Sequence, residues 1–243
     1  MRRRAVFAAA ASLTVFAHPP LHAQPTPAAM DTTNALTRKQ LAIAPIGAAA
    51  ARGDLPQLSA ALEEGLDAGL SISDAKEILV QMYAYAGFPR SLNALGELMK
   101  VLQARKQRGL HDAAGRDPAP LPTGQALRAL GTANQTRLSG APVTGPLFEF
   151  APTIDEYLKT HLFGDIFGRD NLDWQSRELA TVGALSAMEG VDLQLQAHIR
   201  ISMNVGLTTA QLRAAAGAMA QRGQADAARR ALVALDRTPA PSR

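Results

Sequence analysis

The sequence predicts an all-α fold built from two copies of one helical unit, and three observations support that prediction. Most segments space their apolar residues at i, i+3 and i+4, the pattern of one helix face, as residues 73–86 show. Few segments alternate apolar and polar residues as strands do. Residues 53–75 align without a gap with residues 190–212, so that every aligned pair differs by 137 positions. Such self-similarity is typical of repeat proteins, whose units bury each other's apolar faces.

The N-terminus has the three parts of a secretory signal peptide. Residues 2–4 are arginines, residues 5–17 form a short apolar run, and Ala23 offers a small residue for cleavage. The run is too short for a membrane-spanning helix. We therefore expect a signal peptide over residues 1–23, a linker over residues 24–35, and a periplasmic or secreted mature protein that no longer contacts a membrane.

Cleavage changes the interpretation of the charge. The full chain has 25 Lys and Arg residues against 21 Asp and Glu residues, a formal charge of +4. Removal of residues 1–23 takes away three arginines and no carboxylate, which leaves the mature chain at about +1. A nucleic-acid-binding protein needs Lys and Arg clustered on one face, so we expect no nucleic-acid partner.

The mature chain divides into two repeats and a connector. The first repeat spans residues 36–108, and the second spans residues 153–237 and is followed by a tail over residues 238–243. Residues 109–152 are rich in Gly, Pro, Thr and Asp, which predicts a long connector. We expect one short helix within it, near residues 124–130.

Each repeat contains the same helix–turn–helix signal, G-L-[ST]-x-x-[DQ]. A glycine ends one helix in a left-handed conformation, Gly69 in the first repeat and Gly206 in the second. The hydroxyl residue two positions later caps the next helix, and the residue three positions after it completes a capping box. These pairs are Ser71 with Asp74 and Thr208 with Gln211.

The stretch YAGFPRSLNAL interrupts a helical pattern with Gly87, Phe88 and Pro89. Gly and Pro cost about 1 and 3 kcal/mol relative to Ala in a helix interior, so a turn between two helices is predicted here. Proline is tolerated in a first helical turn because its missing N–H needs no partner there. We expect Phe88 to anchor the corner, and Arg90 and Asn93 to lie at the start of the next helix.

The two repeats have diverged in a complementary way. The position of His198 in the second repeat is Ala61 in the first, and near the position of Glu178 the first repeat has Leu41 and Ala42. Conversely, the Gly-Phe-Pro-Arg corner of the first repeat has no counterpart in the second. This pattern predicts one site made from both repeats, although independent drift of the two copies would leave the same pattern.

The sequence has no cysteine, which excludes disulfides, thiolate metal ligands and thiol peroxidase chemistry. Three histidines remain after cleavage, His111, His161 and His198, and no two of them have the short spacing of a metal site. We therefore expect no metal site.

Residues 172–212 carry the pattern R-E-L…Q-x-x-x-H…N-x-G-x-[ST], and residues 68–95 carry Y-x-G-F-P-x-x-x-N-A near their end. Both patterns resemble the carboxymuconolactone decarboxylase family, and residues 161–173 resemble the segment that leads into its domain. The resemblance covers most of residues 36–105 and 153–219. It implies an all-α tandem of carboxymuconolactone decarboxylase or alkyl hydroperoxidase D-like units. It also implies a homo-oligomer, because single units of the family assemble around their helices.

The resemblance says less about the reaction. The family includes cofactor-free decarboxylases and a peroxidase branch that uses a C-x-x-C pair with a nearby Glu and His. The Glu and His of that motif correspond to Glu178 and His198, but the two cysteine positions hold Val191 and Gln194. The resemblance therefore implies an acid–base pair without a thiol nucleophile and without a cofactor.

Each candidate site residue also has a structural interpretation. His198 is either a proton donor or acceptor, or a hydrogen-bonded core residue. Glu178 either orients His198 or pairs with Arg177 at the surface. Arg90 either clamps a substrate carboxylate or is a solvated charge. The remaining candidates are polar side chains that could line a pocket, namely Tyr85, Gln81 and Asn93.

Together these residues predict a cofactor-free decarboxylase, or a related proton-transfer enzyme, for a small carboxylated lactone or keto acid. Arg90 would hold the carboxylate, and His198, oriented by Glu178, would protonate the carbanion left as CO2 departs. The alternative is a periplasmic binding or assembly protein in which the fold persists and catalysis has been lost.

Overall fold

Two helices, one from each repeat, cross at the centre of the protein. Both α1 (Arg38–Arg52) and α9 (Trp174–Ser186) are buried along most of their length. They approach closely because each carries a glycine at the crossing. A Cβ on Gly47 would collide with the backbone of α9, and a Cβ on Gly183 would collide with the backbone of α1. The same small-residue contact therefore occurs twice, as expected for two repeats that pack symmetrically.

The structure, a computed structural model, describes residues 35–239, and every regular element in that range is helical. This confirms the predicted all-α fold. The predicted signal peptide, nearly all of the linker and the last residues of the tail lie outside the described residues. Within them, no helix combines the length and the apolar composition needed to cross a membrane. The remaining elements are α2 (Leu55–Asp67), α3 (Ile72–Gln81), α4 (Tyr83–Ala86), α5 (Phe88–Gln107), α6 (Gly124–Ser139), α7 (Pro146–Phe150), α8 (Pro152–Tyr157), a π-helical segment (Leu158–Ile166), α10 (Asp192–Asn204), α11 (Thr209–Gln221) and α12 (Ala225–Asp236).

The two repeats keep their register in the structure. Helices α2, α3 and α5 begin at positions 55, 72 and 88, and α10, α11 and α12 begin 137 positions later, at 192, 209 and 225. The N-caps of the central helices, Thr37 and Asp173, differ by 136 positions instead. The second repeat therefore has one extra residue between the start of α9 and the start of α10. It follows that Glu178 corresponds to Ala42 of the first repeat.

The predicted turn signals are confirmed in both repeats. Gly69 and Gly206 have the same left-handed φ of 97°. Ser71 caps α3 and Thr208 caps α11, and each forms a capping box with the third residue of its helix. These bonds join neighbours in the sequence, which is why the sequence alone predicts them.

The connector contains more helix than the sequence predicts. In place of one short helix near residues 124–130, α6 extends for 16 residues. It packs against the π-helical segment so closely that a Cβ on Gly131 would collide with the backbone at Lys159. Most helical stability in proteins comes from tertiary packing of a helix face, and the sequence of this segment alone does not show that packing.

A second hydrophobic core lies between the connector and the repeats. Its buried members come from α6, from the π-helical segment and its end, and from α10, and they are Leu138, Leu162, Phe163, Ile166, Phe167 and Ile201. Tyr83 and Tyr85 of the first repeat and Trp174 of the second pack against it. The connector is thus held against both repeats on the side that carries α4.

The corner after α4 is formed as predicted, with one difference. Gly87 has a φ of 83°, α5 begins at Phe88, and Pro89 lies in its first turn. Phe88 is 63% exposed, and its ring stacks on Tyr83 with the ring centroids 4.5 Å apart. Phe88 therefore anchors the corner by an aromatic contact at the surface and not by burial in the core.

Candidate functional site

A buried carboxylate and an imidazole meet between α9 and α10. Glu178 lies in the second turn of α9 and is wholly buried, and His198 lies in the middle of α10. The short link after α9 reverses the chain, which brings His198 Nδ1 to 2.9 Å from Glu178 Oε2. The structure therefore brings the two residues together, and Glu178 does not form the surface pair with Arg177 that the sequence left open.

This contact determines what the imidazole can do. An ionised carboxylate only accepts hydrogen bonds, so in the tautomer that suits this contact Nδ1 is the donor and Glu178 Oε2 the acceptor. About 10% of the His198 side chain is exposed. Since Nδ1 is engaged, Nε2 is the ring nitrogen left to give or take a proton, the arrangement by which a carboxylate fixes the tautomer of a general acid or base.

Tyr85 of the first repeat completes the surroundings of the pair. Its ring meets the His198 ring edge-on, with the centroids 5.3 Å apart. The Tyr85 hydroxyl and Glu178 Oε1 are both buried, and neither has a hydrogen-bond partner among the described residues. Burial, and then the negative charge of Glu178, raise the pKa of the Tyr85 phenol well above its usual value. The phenol therefore stays protonated and is available as a hydrogen-bond donor.

Gln81 lies close to Glu178, but the hydrogen bonds of its amide group connect the two repeats. It is fully buried on α3, and its Nε2 donates to the Arg177 carbonyl oxygen at 2.9 Å and to Thr181 Oγ1 at 3.2 Å. Its Oε1 accepts a bond from the Arg177 guanidinium at 3.3 Å. Gln81 therefore supports α9 beside Glu178, and its polar atoms are already engaged.

Sequence reasoning missed the strongest electrostatic feature near the site. Arg177 is wholly buried, and its guanidinium donates to Glu77 Oε2 at 2.9 Å. Arg169 binds the same carboxylate through two nitrogens, at 2.7 and 2.9 Å. Burial raises the pKa of Glu77, but the bonds from Arg169 and Arg177 outweigh it and lower the pKa to about 2. The signal in the sequence was a Glu on the buried face of α3, next to Ile78.

Arg90 and Asn93 lie apart from the pair. The Arg90 guanidinium occupies the space that a Cβ on Gly53 would fill, at the C-terminal end of α1. It lines a cavity of about 460 Å³ together with Arg52, Glu189 and Arg230, among others, and neither Glu178 nor His198 belongs to that lining. Asn93 is exposed on the next turn of α5. The first-repeat residue in contact with His198 is therefore Tyr85.

The chemistry of the site follows from these neighbours. Within residues 35–239, no group of three or more His, Asp or Glu side chains is placed to hold a metal ion. What the arrangement offers is one exchangeable proton on a nitrogen, one carboxylate that stabilises the protonated imidazole, and one phenol donor. These are the components of a proton-transfer site.

Comparison with known families agrees with the repeat structure. The sequence model of the carboxymuconolactone decarboxylase family matches the chain twice, at residues 21–99 and at residues 152–237. The connector helix α6 lies outside both matches. A comparison with curated proteins finds no match for this chain. The two matches cover more than half of the chain, one in each repeat, and the protein belongs to the carboxymuconolactone decarboxylase family.

Proposed function

We propose that the protein is a cofactor-free lyase that removes CO2 from a small carboxylated lactone or keto acid. The observation that carries this proposal is the buried hydrogen bond between Glu178 and His198. A solvent-exposed carboxylate would give a histidine little orientation, whereas a wholly buried one fixes the ring and stabilises its protonated form. Membership of the family supports the same class of reaction.

The proposed reaction consists of one bond cleavage and one proton transfer. The bond between the substrate carbon and its carboxylate breaks, CO2 leaves, and the electron pair remains on the substrate as an enolate. Protonated His198 then gives its Nε2 proton to the carbon, and Glu178 stabilises the imidazolium until that step. The Tyr85 phenol donates a hydrogen bond to the enolate oxygen, where negative charge develops.

The sequence predicts Arg90 as the carboxylate-binding residue. In the structure its guanidinium lies against Gly53, in a cavity whose lining does not include Glu178 or His198. We propose that Arg90 binds a carboxylate of the substrate from this position. Arg90→Ala should raise KM for a carboxylated substrate about tenfold and leave kcat nearly unchanged if the residue only binds the ground state. Arg213→Ala removes another arginine that is half exposed, one that pairs with Asp236, and serves as the control.

Product analysis in deuterated water tests the proposed reaction. Carboxymuconolactone and a panel of small β-keto acids should release CO2, and each product should carry one deuterium at the carbon that lost it. His198→Gln should lower the rate by about 100- to 10,000-fold, the usual contribution of a general acid. His161→Gln, which changes a half-exposed histidine that pairs with Asp165, should leave the rate unchanged. Ligand binding without turnover in the unaltered protein would favour the alternative, a non-catalytic binding or assembly protein.

We also propose that the chain is exported and that its mature form starts near Gln24. The supporting features are the arginine-rich start, the apolar run and Ala23. Intact mass spectrometry of the protein from its native host measures this directly. Recovery of a soluble cytosolic form that retains Met1 would contradict it.

A further inference from the structure

The first repeat keeps the place of the candidate acid–base pair without its side chains. The register of the repeats puts Ala42 where the second repeat has Glu178, and Ala61 where it has His198. Both alanines are buried. When small side chains stand where the same fold holds large ones, the surrounding helices close the space only in part.

Two cavities lie at this place. One has a volume of about 180 Å³ and is lined by Ala61, and the other has a volume of about 290 Å³ and is lined by Ala42. Glu64 and Arg222, which form an ion pair, line both cavities. We call the two cavities and this shared ion pair the first-repeat cleft. Concave sites of this order accommodate small ligands.

The charge of the cleft is the reverse of that at the acid–base pair. Arg222 occupies the position of Tyr85, 137 residues earlier, and it lines the cavity beside Ala61. The site in the second repeat thus combines a carboxylate, Glu178, with a neutral phenol. The first-repeat cleft combines a methyl group, Ala42, with a guanidinium. A guanidinium binds carboxylates by paired hydrogen bonds, so the cleft favours an anionic ligand.

A carboxylate of the protein itself already occupies this guanidinium. Arg222 Nε donates to Glu64 Oε2 at 2.5 Å, and Arg222 Nη1 donates to the Ala218 carbonyl oxygen at 2.9 Å. The Glu64 side chain is 52% exposed. Exposed ion pairs contribute little to stability, so the carboxylate of a ligand can replace Glu64 at small cost.

Gln224 adds a polar atom that lacks a partner. This residue is 1% exposed and lines the smaller cavity together with Arg222. Its Nε2 donates to the Pro45 carbonyl oxygen at 3.0 Å, but its Oε1 is buried and has no hydrogen-bond partner among the described residues. A buried amide oxygen without a partner is costly, so a ligand that donates a hydrogen bond to it is favoured.

We propose that the first-repeat cleft binds a small hydroxycarboxylate. The carboxylate replaces Glu64 on the Arg222 guanidinium, and the hydroxyl donates a hydrogen bond to Gln224 Oε1. The carbon skeleton lies against the Ala61 methyl group. The ligand is bound and not converted, because alanines stand in the places of the acid–base pair. This binding is independent of the reaction proposed for His198.

Methyl NMR of the full chain, labelled with ¹³C at its alanine methyl groups, measures binding at the cleft. Three probes form a matched set, since lactate has both groups, propionate lacks the hydroxyl and lactamide lacks the charge. Lactate should shift the Ala61 signal, which is identified by its absence from Ala61→Gly. Propionate should bind about fivefold more weakly, and lactamide should give no saturable shift. An Ala61 signal that lactate leaves in place, or equal affinities for lactate and propionate, would overturn the proposal.

Substitution of the guanidinium locates the carboxylate. Arg222→Gln should weaken lactate binding at least about tenfold, because a hydrogen-bonded charge is lost. Arg213→Gln, which removes a half-exposed arginine paired with Asp236, should leave the affinity unchanged. His198→Gln should also leave it unchanged. Loss of binding in His198→Gln would instead place lactate at the acid–base pair and contradict the proposal.

Substitution of the internal carboxylate should have the opposite effect. Glu64→Gln removes the group that competes for Arg222, so lactate should bind about threefold more tightly. Glu97→Gln makes the same change of net charge at a carboxylate that pairs with Lys100, and it should not alter the affinity. Equal tightening in the two variants would show a general effect of charge, and weaker binding in Glu64→Gln would exclude the exchange of carboxylates.

Discussion

The two repeats have the same backbone plan and different side-chain chemistry. Their turn glycines share one φ value and their third helices share a capping box. The second repeat nevertheless places Glu178 and His198 where the first has Ala42 and Ala61. Substitutions at a few positions are therefore enough to distinguish a purely structural repeat from one with a candidate active site. The helix caps and the small residues at the helix crossing specify the fold, and a pair of buried polar side chains specifies the chemistry.

The first repeat contributes support instead. Glu77 and Gln81 contact Arg177 from α3, whereas the equivalent positions on α11 are Ala214 and Ala218. These contacts hold the start of α9, which also carries Glu178. The asymmetry points to a division of roles in which one repeat carries the candidate acid–base pair and the other fixes its position. The following experiments test that division.

Removal of Glu77 should have the largest effect on stability. Glu77→Ala leaves the Arg177 guanidinium buried without its carboxylate, and breaking such a pair costs about 3–5 kcal/mol. Urea denaturation measures the loss. Glu64→Ala, which breaks the more exposed pair with Arg222, should cost no more than about 1 kcal/mol. Equal losses in the two variants would show that the buried pair does not hold the repeats together.

Acid should weaken the same contact. The folded-state pKa of Glu77 is lowered to about 2 from an ordinary value of 4.5. A lowered pKa stabilises the folded state above the unfolded-state value, and that stabilisation is lost as the pH falls from about 4.5 towards 2. The difference corresponds to about 3 kcal/mol. The free energy of unfolding should fall more steeply across this range in the unaltered protein than in Glu77→Gln, and parallel curves would exclude Glu77 as the cause.

Tyr85→Phe tests whether the first repeat also contributes to the chemistry. The variant keeps the ring contact with His198 and removes only the buried hydroxyl. Turnover should fall about tenfold, which is about 1.4 kcal/mol in activation free energy, with little change in melting temperature. Tyr83→Phe is the matched control, because the Tyr83 ring stacks on Phe88 and meets His161 at a tilted angle, whereas the ring against His198 is that of Tyr85. A normal rate in Tyr85→Phe would confine the chemistry to the second repeat.

Loss of a helix N-cap should have the smallest effect on the free energy of unfolding, and the effect should be equal in the two repeats. Ser71→Ala and Thr208→Ala each remove an N-cap of the same type at equivalent positions, and each should lower the free energy of unfolding by about 1 kcal/mol. Chemical denaturation of both variants measures the comparison. A difference above the error of the method would show that the two units do not contribute equally to a shared fold.

The amino-acid sequence by itself determined the all-α class, the turns of the two repeats and the tandem repeat. The periodicity, the capping pairs such as Ser71 with Asp74, and the left-handed glycines act between residues a few positions apart, so they are readable without a structure. The sequence also identified Glu178 and His198 as a pair. That prediction came from the resemblance to the family and not from a pattern between residues a few positions apart.

Only the tertiary structure decided which distant residues meet. Arg177 and Glu77 are 100 positions apart and bind because α3 packs beside α9. Tyr85 reaches His198 while Arg90, five positions later, turns towards Gly53, because the corner at Gly87 redirects the chain between them. The length of α6 likewise depends on the π-helical segment against which it packs. These contacts depend on how helices cross, and crossing is fixed by packing among many residues that no short stretch of sequence contains.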